Sequence, residues 1–343
     1  MVFGLSPKSR FLCIDIQFDE MYFAVVRKTG DFFEIDFSEK LQMEKGIFEG
    51  SRMRTPGKIA DVLQQIKKKF GTLPVLASVP EQFSYATLLP SETYSSSSDI
   101  WKALHTLVST PSYVWTSTFQ KNKSSYTALQ SAEKEVCNTL YILVKSIGFT
   151  SIVIYPRALA LSELNGIQDA VVCDFSKKQT AVFSVYNSHT IGFSLIPYGT
   201  DQLTEKMQSR FSLKADEVSE VLSAYGTDVL PRKEGHLVHG IIHTFLSPIV
   251  DEIQSLELRQ SEYGLQVSKE FFVTGSPAQY NGVVEDISRM TRTQIQPLDV
   301  WEGVIDLNVY IPHIHKNESH EYAGIAGLMN ILKKGTRYQP FDL

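Results

Sequence analysis

At 343 residues, 43% of them hydrophobic, the chain is too long for one ordinary core and carries the apolar material for two or more. Its 33 Lys and Arg stand against 38 Asp and Glu, a net charge of -5 with no long block of either sign, which argues against nucleic acid as a partner. No stretch approaches the roughly 18 consecutive apolar residues of a membrane span, and Met1 to Arg10 lacks the apolar run of a secretory signal. The expectation is a cytoplasmic protein, with peripheral attachment to a membrane complex left open. Cys13, Cys137 and Cys173 are odd in number, widely spaced and set among apolar residues, so they read as small buried hydrophobes.

Taken in chain order, Phe11 to Ile16 form an apolar run containing Asp15, Tyr22 to Val26 resume as a β-branched and aromatic strand, and a turn at Gly30 leads to Phe32 to Phe37. The pattern predicts a three-stranded meander. Pro56 to Phe70 follow with apolar residues at helical spacing, the basic run Lys67 to Lys69 lying on the solvated face, and Val75 to Val79 read as a strand.

A segment of different texture comes next. Glu81 to Leu89 read as a strand closed by Pro90, Ser95 to Ser98 as a mobile loop, and Asp99 to about Ser109 as a helix. Tyr113 to Phe119, Tyr126 to Gln130 and Ser151 to Tyr155 read as strands, with an amphipathic helix over Glu133 to Ile147. The order predicts a small strand-helix-strand-strand-helix-strand module over 81–156.

The opening device then recurs. Val171 to Cys173 lead into Asp174, Thr180 to Val185 resume as a strand, and Thr190 to Pro197 run back after a turn at Asn187 and Ser188. Helical sequence follows at Asp201 to Phe211 and Lys214 to Tyr225, and Pro248 predicts two helices in series over Glu234 to Tyr263. Glu270 to Val273 form a strand ending in Thr274 and Gly275. Helices are expected over Gln279 to Met290 and His320 to Lys333, with a strand at Thr293 to Gln296. Strands alternating with helices on this scale indicate α/β layering.

Two Asp-bearing meanders, an inserted module and a late strand ending in Thr-Gly resemble the actin-like ATPase superfamily, and within it the type IV pilus assembly family PilM, related to FtsA. The likeness is carried by Phe3-Gly4-Leu5, Ser78-Val79-Pro80-Glu81, Gly148-Phe149 with Tyr155-Pro156-Arg157-Ala158, Ile196-Pro197-Tyr198-Gly199 with Gln202-Leu203-Thr204, and Ala323 to Leu328. The resemblance implies a duplicated, ribonuclease H-like two-lobed α/β fold. Its divisions would be a first lobe at 1–80, the inserted module at 81–156, a connecting helix and the start of the second lobe at 157–200, a helical subdomain at 201–268, and the remainder of the second lobe with the last helix at 269–343. It implies a nucleotide pocket drawing on Asp15, Asp174, Gly199, Thr274 and Gly275, the aspartates holding Mg²⁺ through water beside ATP.

This chain departs from that pattern where phosphate must approach the backbone. Gln17 and Ser176 stand at glycine positions, Tyr22 at the usual Lys, Ser276 and Pro277 in the late glycine turn, and Ser219 and Leu222 near the adenine-side Glu and Lys. Lys177 and Lys178 are candidates to compensate. The expectation is a pseudo-ATPase scaffold that binds the N-terminal peptide of a PilN-like inner-membrane protein between residues 11–80 and 81–156, among other pilus or secretion components. The alternatives are a working actin-like ATPase or small-molecule kinase, and an FtsA-like division protein, which the short tail Tyr338 to Leu343 disfavours. His236, His239 and His243 fall on one helical face and read as structural or surface residues, as do His313 and His315. No glycine-flanked serine sits at a strand-to-helix turn, so a hydrolase is not expected.

Overall fold

The computed structural model describes residues 9–342 except 44, 92–93, 95, 109, 122–123, 150, 165–166, 228–232, 266–269, 306–313, 315 and 336–340. The sequence phrase at Phe3 to Leu5 and both His313 and His315 lie outside the described residues. The chain divides into two compact units. The first comprises Met1–Ile167, His189–Ile191 and Val300–Leu343, and the second Gln168–Ser188 and Gly192–Asp299.

In the first unit, β1 (Arg10–Ile16), β2 (Glu20–Thr29) and β3 (Phe32–Gln42) form the expected antiparallel meander, which leads through the small hairpin β4 (Phe48–Glu49) and β5 (Arg52–Met53) to α1 (Pro56–Phe70). Pro56 opens α1, where the missing N–H has no intrahelical partner to lose, and Ile59, Val62, Leu63 and Ile66 form its buried stripe. β6 (Val75–Val79) then pairs parallel with β1. β1 and β6 are buried almost throughout, as strands covered on both faces must be, so both read as continuous apolar runs.

The module contains β7 (Ser84–Pro90), α2 (Ser97–Leu107), β8 (Ser112–Lys121), β9 (Ser124–Glu133) and α3 (Lys134–Ser146). Leu89, Ala103, Leu104, Val114 and Leu129 are its core. The serine run is not a free loop along its length: Ser96 is the N-cap of α2, its hydroxyl accepting the Asp99 N–H at 3.2 Å. The expected last strand of the module, β10 (Ile152–Pro156), pairs parallel with β6 and so belongs to the lobe sheet, whose order is β10-β6-β1-β2-β3. It is the edge strand of that sheet, partly buried over Ile152 to Ile154 and buried at Tyr155 and Pro156. α4 (Arg157–Ser162) follows directly.

In the second unit, β11 (Ala170–Phe175), β12 (Thr180–Tyr186) and β13 (His189–Ile196) repeat the meander, followed by α5 (Thr200–Phe211), α6 (Ala215–Ala224) and α7 (Lys233–Glu262). α7 is one helix, not two. Pro248 and Thr244, whose carbonyl loses its partner to the proline, both face solvent, so water can satisfy the orphaned acceptor. β14 (Glu270–Thr274), α8 (Val283–Thr291) and β15 (Ile295–Pro297) complete the sheet in the order β13-β12-β11-β14-β15. Expected helix 279–290 is a 3₁₀ turn over Ser276–Gln279 followed by α8, separated by Gly282 in left-handed conformation.

Both sheets have the same plan: an antiparallel meander whose first strand carries the aspartate, continued on its other side by two parallel strands. α9 (Ala323–Lys334) lies on β1, β2 and β6 of the first unit, although the sequence reading placed it with the second lobe. Its Gly327 allows this approach, since a Cβ there would stand 2.1 Å from the Ala160 carbonyl oxygen of α4. A last short strand, β16 (Phe341–Asp342), adds to the module sheet, giving the order β16-β8-β9-β7. All three cysteines are buried and unpaired. Burial pushes the thiols of Cys13 and Cys173 up and raises Cys137 to about 12, so each remains a neutral apolar group. Among the described residues, no helix is long and apolar enough to cross a membrane.

Candidate functional site

In the first unit, Asp15 sits near the end of the central strand β1, fully buried. Arg157, the first residue of α4 and 2% exposed, directs its Nε to both carboxylate oxygens, at 3.0 Å to Oδ1 and 3.1 Å to Oδ2. Ser78, on the neighbouring strand, donates its hydroxyl to Oδ1 at 2.5 Å. The Arg157 Nη1 donates to Glu81, itself buried, so one guanidinium lies between two carboxylates. The remaining side of Asp15 is closed by the start of α9: a Cβ on Gly324 would lie 2.2 Å from Cγ. The N-terminal end of α9 also offers its positive dipole end to a cluster with one uncompensated negative charge. A carboxylate held in this way has no open side for a hydrated cation.

The β1–β2 turn is closed as well. Gln17, where the resemblance expects glycine, is buried and donates its side-chain amide to the Glu321 carbonyl at 3.3 Å. Tyr22, in place of the usual Lys, donates its hydroxyl to Glu20 Oε2 at 2.7 Å and lies 3.1 Å from Glu321 Oε2. Burial and these two carboxylates push its phenol far above the ordinary range, so it stays protonated. The positive charge nearby is Lys40, 3.0 Å from Glu20 Oε1, bonded also to Glu321, and 5.2 Å above the Tyr22 ring. Burial works to lower its pKa, but Glu20 and Glu321 outweigh that and raise it, so Lys40 is a charged member of an internal cluster.

In the second unit, Asp174 pairs in register with Thr274 across the parallel strands β11 and β14, both buried. The loop after Asp174 is tied to itself, Ser176 giving its N–H and hydroxyl to the Gln179 carbonyl at 3.0 and 2.8 Å. Helix α5 begins against this loop. The Thr200 N–H donates to the Ser176 carbonyl at 3.1 Å, the Asp201 N–H to the Lys177 carbonyl at 2.9 Å, and the Gly199 N–H to Gln202 Oε1 at 2.8 Å. A helix N-terminus binds phosphate through such donors, and here protein acceptors hold them. Gly199 is required by the contact itself, since a Cβ would meet the Lys177 carbonyl oxygen at 2.4 Å. Lys178 forms an ion pair with Asp201 at 2.6 Å, which removes the expected compensation by its charge.

Gly275 keeps a left-handed φ of 92° with Phe175 O 2.1 Å from where a Cβ would stand, but buried Pro277 follows it and contributes no donor. Of the adenine-side positions, Leu222 is a core residue of the second unit and Ser219 is exposed. The residues of neither unit fit the phosphates and metal of a magnesium nucleotide. Among the other candidates, His239 Nε2 lies 3.3 Å from Asp286 Oδ2 of α8, a carboxylate that sequence spacing did not reveal. No group of three potential metal-binding side chains occurs among the described residues.

Neither a protein-family model nor a curated protein matches the chain. Among solved structures it is similar to the PilM-PilN type IV pilus biogenesis complex, with 14% identity, a TM-score of 0.67, and coverage of 96% of this chain and 100% of that one. It is also similar to MreB5 of Spiroplasma citri bound to ADP, at 9% identity and a TM-score of 0.57, covering 96% and 98%. The chain has the actin-like ATPase fold. The ethanolamine utilization protein EutJ from Carboxydothermus hydrogenoformans has it too, at 11% identity and a TM-score of 0.53, covering 96% of this chain and 92% of that one. At these identities the likeness speaks for the fold, and activity has to be argued from the residues. On the actin-like fold the two aspartates occupy equivalent places in the duplicated meanders, and both are buried.

The module and the lobe sheet meet beside the same unit's β10, where the rings of Trp115 and Tyr155 lie 6.5 Å apart. Trp115 faces Gln130 across β8 and β9, and both the indole N–H and Gln130 Oε1 are buried with no hydrogen-bond partner among the described residues.

Proposed function

We propose that this chain is a scaffold of a type IV pilus or related secretion assembly, a PilM-like pseudo-ATPase held at the inner-membrane face by the N-terminal peptide of a PilN-like protein. The observation that carries this reading is the closure of both aspartate loops by the chain's own groups, on a fold shared with the PilM-PilN complex. The groove between the first-lobe residues 11–80 and the module would take the peptide.

Calorimetric titration of the full chain with the N-terminal peptide of a PilN-type protein of the same organism is expected to give a Kd of about 1–10 μM, or roughly 7–8 kcal/mol. Absence of both heat and amide chemical-shift change would overturn the reading. Sharing a fold with ADP-bound MreB5 favours one competitor, a working ATPase. Millimolar ATP with Mg²⁺ is expected to leave Tm unchanged. A nucleotide present at about 100 times its Kd would add about 2.7 kcal/mol, enough to move Tm by several degrees, and such a shift would revive the ATPase.

A further inference from the structure

Single apolar side chains and single lysines are ordinary on a protein surface, and they gain meaning where the two kinds gather without partners. In the first unit they gather at one corner. Ile142 of α3, 65% exposed, is the most exposed large apolar side chain among the described residues, and Tyr141 beside it is 37% exposed. Lys145 follows one turn later on the same helix, its ammonium 5.4 Å from the centre of the Tyr141 ring.

The C-terminal end of α1 comes to the same place. Lys67 Nζ donates to the Ile147 carbonyl, just past the end of α3, at 2.6 Å. That contact has a structural use, since a cation there satisfies an orphan acceptor and the negative end of the helix dipole. Lys68, Lys69 and Lys145 hold no such acceptor. All three are exposed, Lys69 lies over the rings of Phe37 and Phe70 at 5.3 and 5.0 Å, and none of the four lysines forms an ion pair among the described residues. Asp36, next to Phe37, is already held by Arg10 at 2.7 Å and Arg27 at 3.2 Å. The exposed acids of the two helices, Asp61 and Glu135, lie in their N-terminal halves, away from the lysines.

We infer that the corner formed by the C-terminal ends of α1 and α3 is a docking surface for an anionic lipid bilayer, with the lysines at the phosphate headgroups and Ile142 and Tyr141 at the boundary with the acyl chains. An acidic peptide or a nucleic acid would use the charge and leave Ile142 in water, whereas a bilayer covers both. In a chain of net charge -5 the patch also sets orientation, because an anionic surface repels the remainder. The inference stands apart from the pilus reading, and its test contains no partner peptide.

All three native cysteines are buried, so Ile142→Cys offers a single exposed thiol for an environment-sensitive dye. The labelled full chain is expected to show brighter, blue-shifted emission with vesicles of phosphatidylcholine and phosphatidylglycerol and no change with phosphatidylcholine alone. The signal is expected to vanish in about 1 M salt, where the Debye length is about 3 Å. Flotation of the unlabelled chain with the same vesicles gives the affinity. A lysine near an anionic surface contributes roughly fivefold, so Lys68→Gln, Lys69→Gln and Lys145→Gln together are expected to weaken binding at least about tenfold. Ile142→Ser is expected to weaken it at least about threefold. Both variants alter exposed side chains and keep Lys67 on α3, so the fold is retained. Equal binding to neutral and anionic vesicles, binding kept by the triple lysine variant, or indifference to Ile142→Ser would overturn the proposal. So would capture of an RNA or of polyglutamate through the same lysines with no vesicle binding.

Discussion

Arg157→Met is expected to destabilise the protein by about 3–5 kcal/mol, because it leaves Asp15 and Glu81 as buried carboxylates without their shared counter-ion. In a unit of this size that corresponds to a fall of roughly 10 °C in Tm. The loss belongs mainly to the stranded charges, since methionine fills much of the arginine's volume. Neutralising the partners tests this directly. The triple variant Arg157→Met, Asp15→Asn, Glu81→Gln is expected to recover at least about half of the loss, with Ser78 still able to bond the amide at position 15. Chemical denaturation of the single and triple variants provides the check, and a single variant as stable as the native chain would remove the ion cluster from the account of the fold.

Gly324→Ala is expected to destabilise by about 3 kcal/mol, at the upper end of ordinary overpacking. Helix propensity predicts the opposite sign, since alanine is favoured over glycine by about 1 kcal/mol inside a helix. Sterics win here because the new Cβ would stand 2.2 Å from Cγ and Oδ1 and 2.3 Å from Oδ2 of a carboxylate that Arg157 and Ser78 hold in place. α9 would have to lift from β1. In an Asp15→Ala background the obstruction is gone, and the same substitution is expected to cost less than about 1 kcal/mol. Thermal denaturation of the four members of this cycle measures the coupling.

The duplicated meander was legible because its strands are apolar runs broken by short polar turns, a local pattern that needs no tertiary information. The altered loops were legible too, since Gln17, Ser176 and Pro277 announce their chemistry by identity alone. Their consequences were not. Arg157 lies 142 positions from Asp15, in a phrase that reads as the start of an apolar helix, and its role appears once β1, β6 and α4 are packed together. Ser78, Glu81, Arg157 and Gly324 all fall within phrases that carried the family resemblance, yet sequence order could not show that they converge on one carboxylate. Lys178 looked available to a phosphate because its ion pair with Asp201 depends on how α5 starts against the loop. Pro248 predicted a helix break because its exposure, which lets water replace the missing bond, is a property of packing. The allocation of α9 to the first unit required knowing which sheet it covers.

The Asp15 cluster also alters what the first unit owes to its surroundings. A metal ion stabilises its site according to how much of it is free in solution, so chelation or competition weakens the structure it supports. The guanidinium of Arg157 is joined to the backbone of the same chain and is present at one equivalent under all conditions. The counter-ion of the central strand cannot be diluted, exchanged or withheld, and the stability of this corner of the protein is independent of the supply of divalent ions.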